Sequence, residues 1–171
     1  MEIIIILLSI LQSVGVSLGV GSSTLAICNF FVAIADGEID LSERRLMGVV
    51  YITLRVAMVL ILVTTLALTV ANYLGQGTSY LTPFIVGFWI LISVLYINAV
   101  LMTKHIMPSS VGPALQASTW YTMGVLVALV PLGLNGFSLF HFALGYATAI
   151  LLAISLVNAL MHELKHRSPK V

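Results

Sequence analysis

"IADGEIDLSERRLMG", residues 34–48, gathers four of the chain's six carboxylates and two of its seven Lys and Arg side chains, in a sequence that is 60% hydrophobic and only 8% charged. Long apolar runs flank it on both sides, so it reads as the turn of a helical hairpin. Gly37 is placed to take the left-handed conformation that stops a helix, and Asp40 to cap the next one. Glu43, three residues on, holds the reciprocal position of a capping box, with its negative charge at the end of the helix dipole that favours it.

Outward from this turn, five apolar segments follow one another: 3–35, 44–74, 81–103, 113–134 and 138–164. A soluble globule carries about 25% charged residues, and a mean hydropathy of +1.14 leaves too little polar surface to coat one. Lipid is the matching solvent. Segments of about 20 residues at 1.5 Å per residue cross a hydrocarbon core about 30 Å thick. The expected fold is therefore all-α: one polytopic helical membrane domain, 1–171, with five transmembrane helices in a compact bundle and the first two forming a long hairpin. The opening "MEIIIILLSILQ" carries Glu2 and no basic n-region, so it reads as a retained span rather than a cleaved signal. Cys28 is the only cysteine, which excludes an intramolecular disulfide. A net charge of +1 with no basic, aromatic-interleaved patch gives no sign of a nucleic-acid partner.

The fourth segment is the least apolar. "PALQASTWYTMG" mixes Gln116, Ser118, Thr119 and Thr122 with apolar residues, and is expected to start as an interfacial helix before turning inward. Pro113 suits a first helical turn, and Pro131 should bend or end the helix at its far side. Sidedness follows from the basic residues, which stay cytoplasmic. Arg44 and Arg45 lie in the first connection, Lys104 in the third, and Lys165, Arg167 and Lys170 in the tail; "YLGQGTSYL" and "PLGLNGF" have none. Five crossings put every basic segment on one face, with the N-terminus outside and the C-terminus inside a cell (inner) membrane. Four crossings would send the basic tail to the opposite side.

Segments 3–35 and 44–74, at roughly 30 residues each, would run about 45 to 50 Å, beyond the hydrocarbon core. Either both tilt steeply, or their inner ends project as an apolar hairpin whose Phe30, Phe31, Leu46 and Val50 need cover from a second copy or a partner membrane protein. Within the first segment Gly15 and Gly19, Ser17 and Gly21, and Gly19 and Ser23 are each four apart, the small-residue spacing that lets helices approach closely. The other reading of this stretch is a broken helix lining a substrate site.

Arg55 is the one basic residue well inside a segment. Antiparallel pairing sets it level with Asn98 and Ala99, a turn or so deeper than Lys104, where it can snorkel or pair with Asn98, Asn29 or the serines Ser22 and Ser23 as an anion or proton-linked site. Asn29, Asn72, Asn98 and Asn158 are expected to form hydrogen bonds between helices.

Two stretches carry metal-type patterns. "DGEIDLSE" resembles the second half of an EF-hand calcium loop, but Val32 and Ile34 stand where its first two carboxylates belong; the same turn resembles acidic turns that join helices in soluble TerB-like domains. "HELKH", residues 162–166, resembles the H-E-x-x-H signature of zincin metallopeptidases. That resemblance implies His162 and His166 as zinc ligands and Glu163 as general base. A third ligand would come from His105, Asp36, Glu38, Asp40 or Glu43, which the topology places on the same face. Lys165, Arg167 and the helix-ending Ser168-Pro169 depart from the signature, and a basic tail that anchors the last span explains the same residues. The composite expectation is a small oligomeric transporter or channel, or an accessory subunit of a membrane complex, with a zinc peptidase or other metal-binding membrane protein as the alternative.

Overall fold

A computed structural model describes residues 2–36, 40–108 and 111–167, with side chains at 2–32, 40–108 and 111–163. Five α-helices account for nearly all of them: α1 (Glu2–Asp36), α2 (Leu41–Gln76), α3 (Pro83–Thr103), α4 (Val111–Leu129) and α5 (Leu139–Arg167), with a short 3-10 turn, Gly77–Tyr80, after α2. Among the described residues, four stretches are long and apolar enough to cross a membrane: Glu2–Val32, Leu41–Tyr80, Pro83–Thr103 and Leu139–Glu163. The outward faces are apolar, with Ile3 72% exposed, Leu74 82% and Phe140 72%, a surface that water would not tolerate over such an area.

The opening turn caps as its sequence implies. The Asp40 carboxylate accepts from the Glu43 N–H (2.7 Å) and the Glu43 carboxylate accepts from the Asp40 N–H (3.1 Å), a complete capping box at the start of α2. Ser42 adds its hydroxyl to Asp40. Gly37 and Glu38 lie outside the described residues.

α1 is a single unbroken helix, which removes the broken-helix reading of its Gly/Ser stretch. Ser9, Ser13, Ser17 and Thr24 each donate to the carbonyl four residues back, so these hydroxyls are satisfied within the helix. α1 and α2 pack along one another as the long hairpin. At 35 and 36 residues, they run about 52–54 Å. Of the four residues expected to need cover at its inner end, Leu46 is exposed and Phe30 and Phe31 are half-buried against each other, whereas Val50 is buried at 4%. Val50 lies on the core side of α2 with Leu54, Ala57 and Ile61, so its helical phase takes it out of the patch.

α4, expected from its polarity to start at an interface, is packed among the other helices. It is a continuous helix from Val111, with Pro113 in its first turn and its end just before Pro131, and it packs against α1, α3 and α5. Gly112, Ala114, Gln116, Ala117, Ser118, Thr119 and Trp120 are all buried. The segment is poor in large aliphatic residues because it faces protein, where small and hydroxyl-bearing residues permit close packing. α2 closes the other side between α1 and α3, and α5 lies over α4 against α1 and α3.

The core joins Val16, Leu54, Ala57, Met58, Ile61, Phe88, Leu91, Ile92, Leu95, Trp120, Met123 and Leu126, with Phe142 and Tyr146 of α5. Rings of Phe84, Phe137, Phe142 and Tyr146 follow one another at centroid separations of 6.0–6.4 Å, and the Tyr146 hydroxyl lies 2.7 Å from that of Thr119. This ladder ties α5 to α3 and α4.

Candidate functional site

Helix phase decides which residues of the core separate two clefts. On α2, Met58, Ile61 and Thr65 lie three and four residues apart and share a face. Met58 lines one cleft, Thr65 lines another, and Ile61 between them is fully buried. The other three helices repeat this order. On α1 Gln12 lines one cleft and Ser23 the other, with buried Val16 between; on α3 it is Phe88 and Ala99, with Leu91 and Leu95 between; on α4, Val127 and Gln116, with Trp120 and Met123 between. The same four helices therefore hold a cleft near each end of the bundle, with an apolar plug between them. From Met58 to Thr65 the separation is about 10 Å along the helix.

The cleft distant from the hairpin turn encloses about 450 Å³ and is lined by Ser9, Gln12, Ser13, Thr65, Asn72 and Tyr80 among apolar residues. Gln12 donates to the Thr65 hydroxyl at 2.8 Å, joining α1 to α2 at its floor. Nearby, the Trp89 indole donates to Thr69 at 3.1 Å.

The cleft beside the hairpin turn encloses about 330 Å³, and Ser23, Tyr51, Arg55, Thr103 and Gln116 supply its polar groups. Arg55 and Ala99 both line it, in the register expected from the sequence. The Arg55 side chain is exposed and has no hydrogen-bond or ion-pair partner among the described residues. Ser23 is only 2% exposed, and its hydroxyl likewise has no partner among them. Asn98 stands behind Gln116. Its amide donates to the Gly112 carbonyl (2.9 Å) and to the Gln116 side-chain oxygen (3.1 Å), which turns the Gln116 amide nitrogen toward Met58, 3.9 Å away at its sulfur.

The structure thus brings Arg55, Ser23 and, through Gln116, Asn98 to one place. Ser22 is buried but does not line this cleft, and neither does Asn29, whose buried amide nitrogen has no partner among the described residues. Asn158 is exposed. Of the four asparagines expected to bond between helices, Asn98 makes the clear contact, and Asn72 donates to its own helix at Leu68. Gln116 carries more of the site than the sequence implied; the signal was an amide in an otherwise apolar and small-residue helix.

The glycines divide sharply. A Cβ at Gly19 would lie 2.2 Å from the Trp120 ring, and one at Gly15 would lie 3.0 Å from Ile61, whereas one at Gly21 would meet nothing. Gly19 is the recess that admits Trp120 into the plug. The Trp120 side chain is fully buried, with its indole N–H unpartnered among the described residues.

Among the described residues no three His, Cys, Asp or Glu side chains are grouped to hold an ion. His162 and Glu163 are exposed on α5, His105 is exposed just beyond α3, and Asp40 and Glu43 are engaged in the capping box. The side chains of His166 and Asp36, and Glu38 as a whole, lie outside the described residues.

No protein-family model matches the sequence, and comparison with curated proteins and with solved structures finds no similar protein.

Proposed function

We propose that this chain is a five-helix membrane protein that carries a small solute by alternating access, with its N-terminus outside, its C-terminus inside, and the Arg55 cleft at the cytoplasmic end. The observation that carries the reading is the pair of clefts at opposite ends of one four-helix set, separated by a single apolar plug. Polar groups lining two clefts, with a buried apolar layer between, match the occluding arrangement a carrier needs. α4 contributes to both clefts, which supports it as a fifth crossing despite its lower hydropathy. Five crossings also keep Arg44, Arg45, Lys104 and the basic tail together.

Single cysteines test the sidedness. In a Cys28→Ser background, Asn72→Cys in one cleft and Ala99→Cys in the other are labelled with a membrane-impermeant thiol reagent in right-side-out and inverted vesicles. The expected result is labelling from opposite sides, Asn72→Cys from outside and Ala99→Cys from inside. Labelling of both from the same side would end the reading.

The overlong hairpin favours a second role, docking on a second copy or another membrane protein. In the first ten residues or so of α2, about 15 Å of helix, Leu41, Leu46 and Val49 are at least half exposed. Co-purification of a second chain, or a stable dimer in mild detergent, is the expected outcome; a monodisperse monomer would count against it.

A further inference from the structure

We propose that the Arg55 cleft binds a small organic monocarboxylate with an apolar body; this rests on the carrier reading above and names the class of solute. Among the described residues the cleft is lined by one guanidinium and by no carboxylate. A charge inside an apolar span is stabilised by a counter-ion or by water reached through snorkelling, and among the described residues Arg55 has neither an acid nor a carbonyl as partner. The planar fork of an arginine matches a carboxylate in bidentate fashion. Two further groups with spare capacity lie on the same cleft. Ser23 is 2% exposed as a residue and its hydroxyl has no partner among the described residues, and the Gln116 amide nitrogen has only the long contact to the Met58 sulfur, its orientation fixed from behind by Asn98. All of these can donate, which suits an anion.

The remainder of the wall limits the size and nature of the ligand. Phe30, Leu54, Met58 and Met102 give it an apolar surface, and methionines adapt to irregular shapes. Its volume, about 330 Å³, is at the lower end of the range for small-molecule pockets. Inorganic anions would leave that wall unused, while a carboxylate carrying one ring or a short chain would fill it.

Equilibrium dialysis with labelled benzoate, and with benzamide as its uncharged isostere, tests this on the full chain in zwitterionic phosphatidylcholine nanodiscs. Saturable, stoichiometric benzoate binding is expected, with benzamide at least tenfold weaker. Arg55→Gln should weaken benzoate at least tenfold, Arg55→Lys severalfold because the fork is lost, and Ser23→Ala a few-fold. No saturable benzoate binding, equal binding of the two probes, or unchanged affinity in both Arg55 variants would overturn the proposal. So would native mass spectra in which the wild type retains a phospholipid that Arg55→Gln loses while benzoate does not bind, since the guanidinium would then serve a lipid headgroup. The two readings fail separately. Benzoate binding without flux in liposomes removes the carrier and keeps the site, whereas flux indifferent to Arg55 keeps the carrier and removes the site.

Discussion

His105 and Gly133 occupy the same place in two helix ends. After α3, the His105 N–H bonds the Met102 carbonyl and the Ile106 N–H bonds that of Leu101; after α4, Gly133 bonds Val130 and Leu134 bonds Leu129. Both are Schellman closures, which need a left-handed residue at the turn, and φ is +55° at His105 and +68° at Gly133. Glycine adopts that conformation freely, but histidine is strained by roughly 1–2 kcal/mol there. Replacing it with glycine also loosens the unfolded chain, by about 0.4–1 kcal/mol. The relief is the larger effect, so His105→Gly should stabilise the protein by about 0.5–1 kcal/mol in denaturation followed in detergent. Asp40 acts at the other kind of helix end. The Glu43 N–H and then the Ser42 hydroxyl hold its carboxyl below the ordinary 3.8. A carboxyl lowered in the folded state adds stability above its unfolded value and loses it as pH falls through the lowered one. Asp40→Ala should therefore melt earlier than wild type at neutral pH, with the difference closing below the ordinary carboxylate range; a difference independent of pH would show that the charge is not what caps α2.

At the scale of the helix, small residues separate into those that admit a neighbour and those that face outward, and only the structure tells them apart. Gly19→Ala would push a methyl group into the Trp120 ring, an overpacking that costs about 1–3 kcal/mol. Gly21→Ala meets open space and gains helix propensity, up to about 1 kcal/mol. Thermal denaturation of the two variants should move in opposite directions. Spacing alone could not separate them, because Gly15, Gly19 and Gly21 fit overlapping small-residue patterns and the partner helix fixes which pattern is used. The hairpin was legible from residues 34–48, since caps are local chemistry written within four residues. The burial of α4 was not legible, for the reverse reason. Its Gln116, Ser118 and Thr119 have the polarity of an interface, and only the neighbours that surround them, α1, α3 and α5, make them interior.

Across the whole molecule, the number and order of helices followed from apolar run lengths, and the Arg55 register from antiparallel pairing, but the two clefts did not. Each is assembled from residues of α1, α2, α3 and α4, and no local pattern records that Gln12, Thr65, Phe88 and Val127 meet, or that Val16, Ile61, Leu95 and Trp120 close the space beneath them. That arrangement has a mechanical consequence. Ile61 is fully buried and lies between Met58 of one cleft and Thr65 of the other, so Ile61→Ala opens a void in the thinnest part of the plug. Such a truncation costs about 2–5 kcal/mol, and loss of stability alone could loosen the vesicle seal. Val157→Ala supplies the control, since Val157 is buried at 5% on α5 and lines neither of the two clefts. If the clefts are two ends of one path, proteoliposomes with Ile61→Ala should leak glycerol severalfold faster than wild type, while Val157→Ala vesicles stay tight. Equal tightness in all three would mean that the plug divides two unconnected surface features, and a leak in Val157→Ala as well would trace the effect to destabilisation rather than to the path through Ile61.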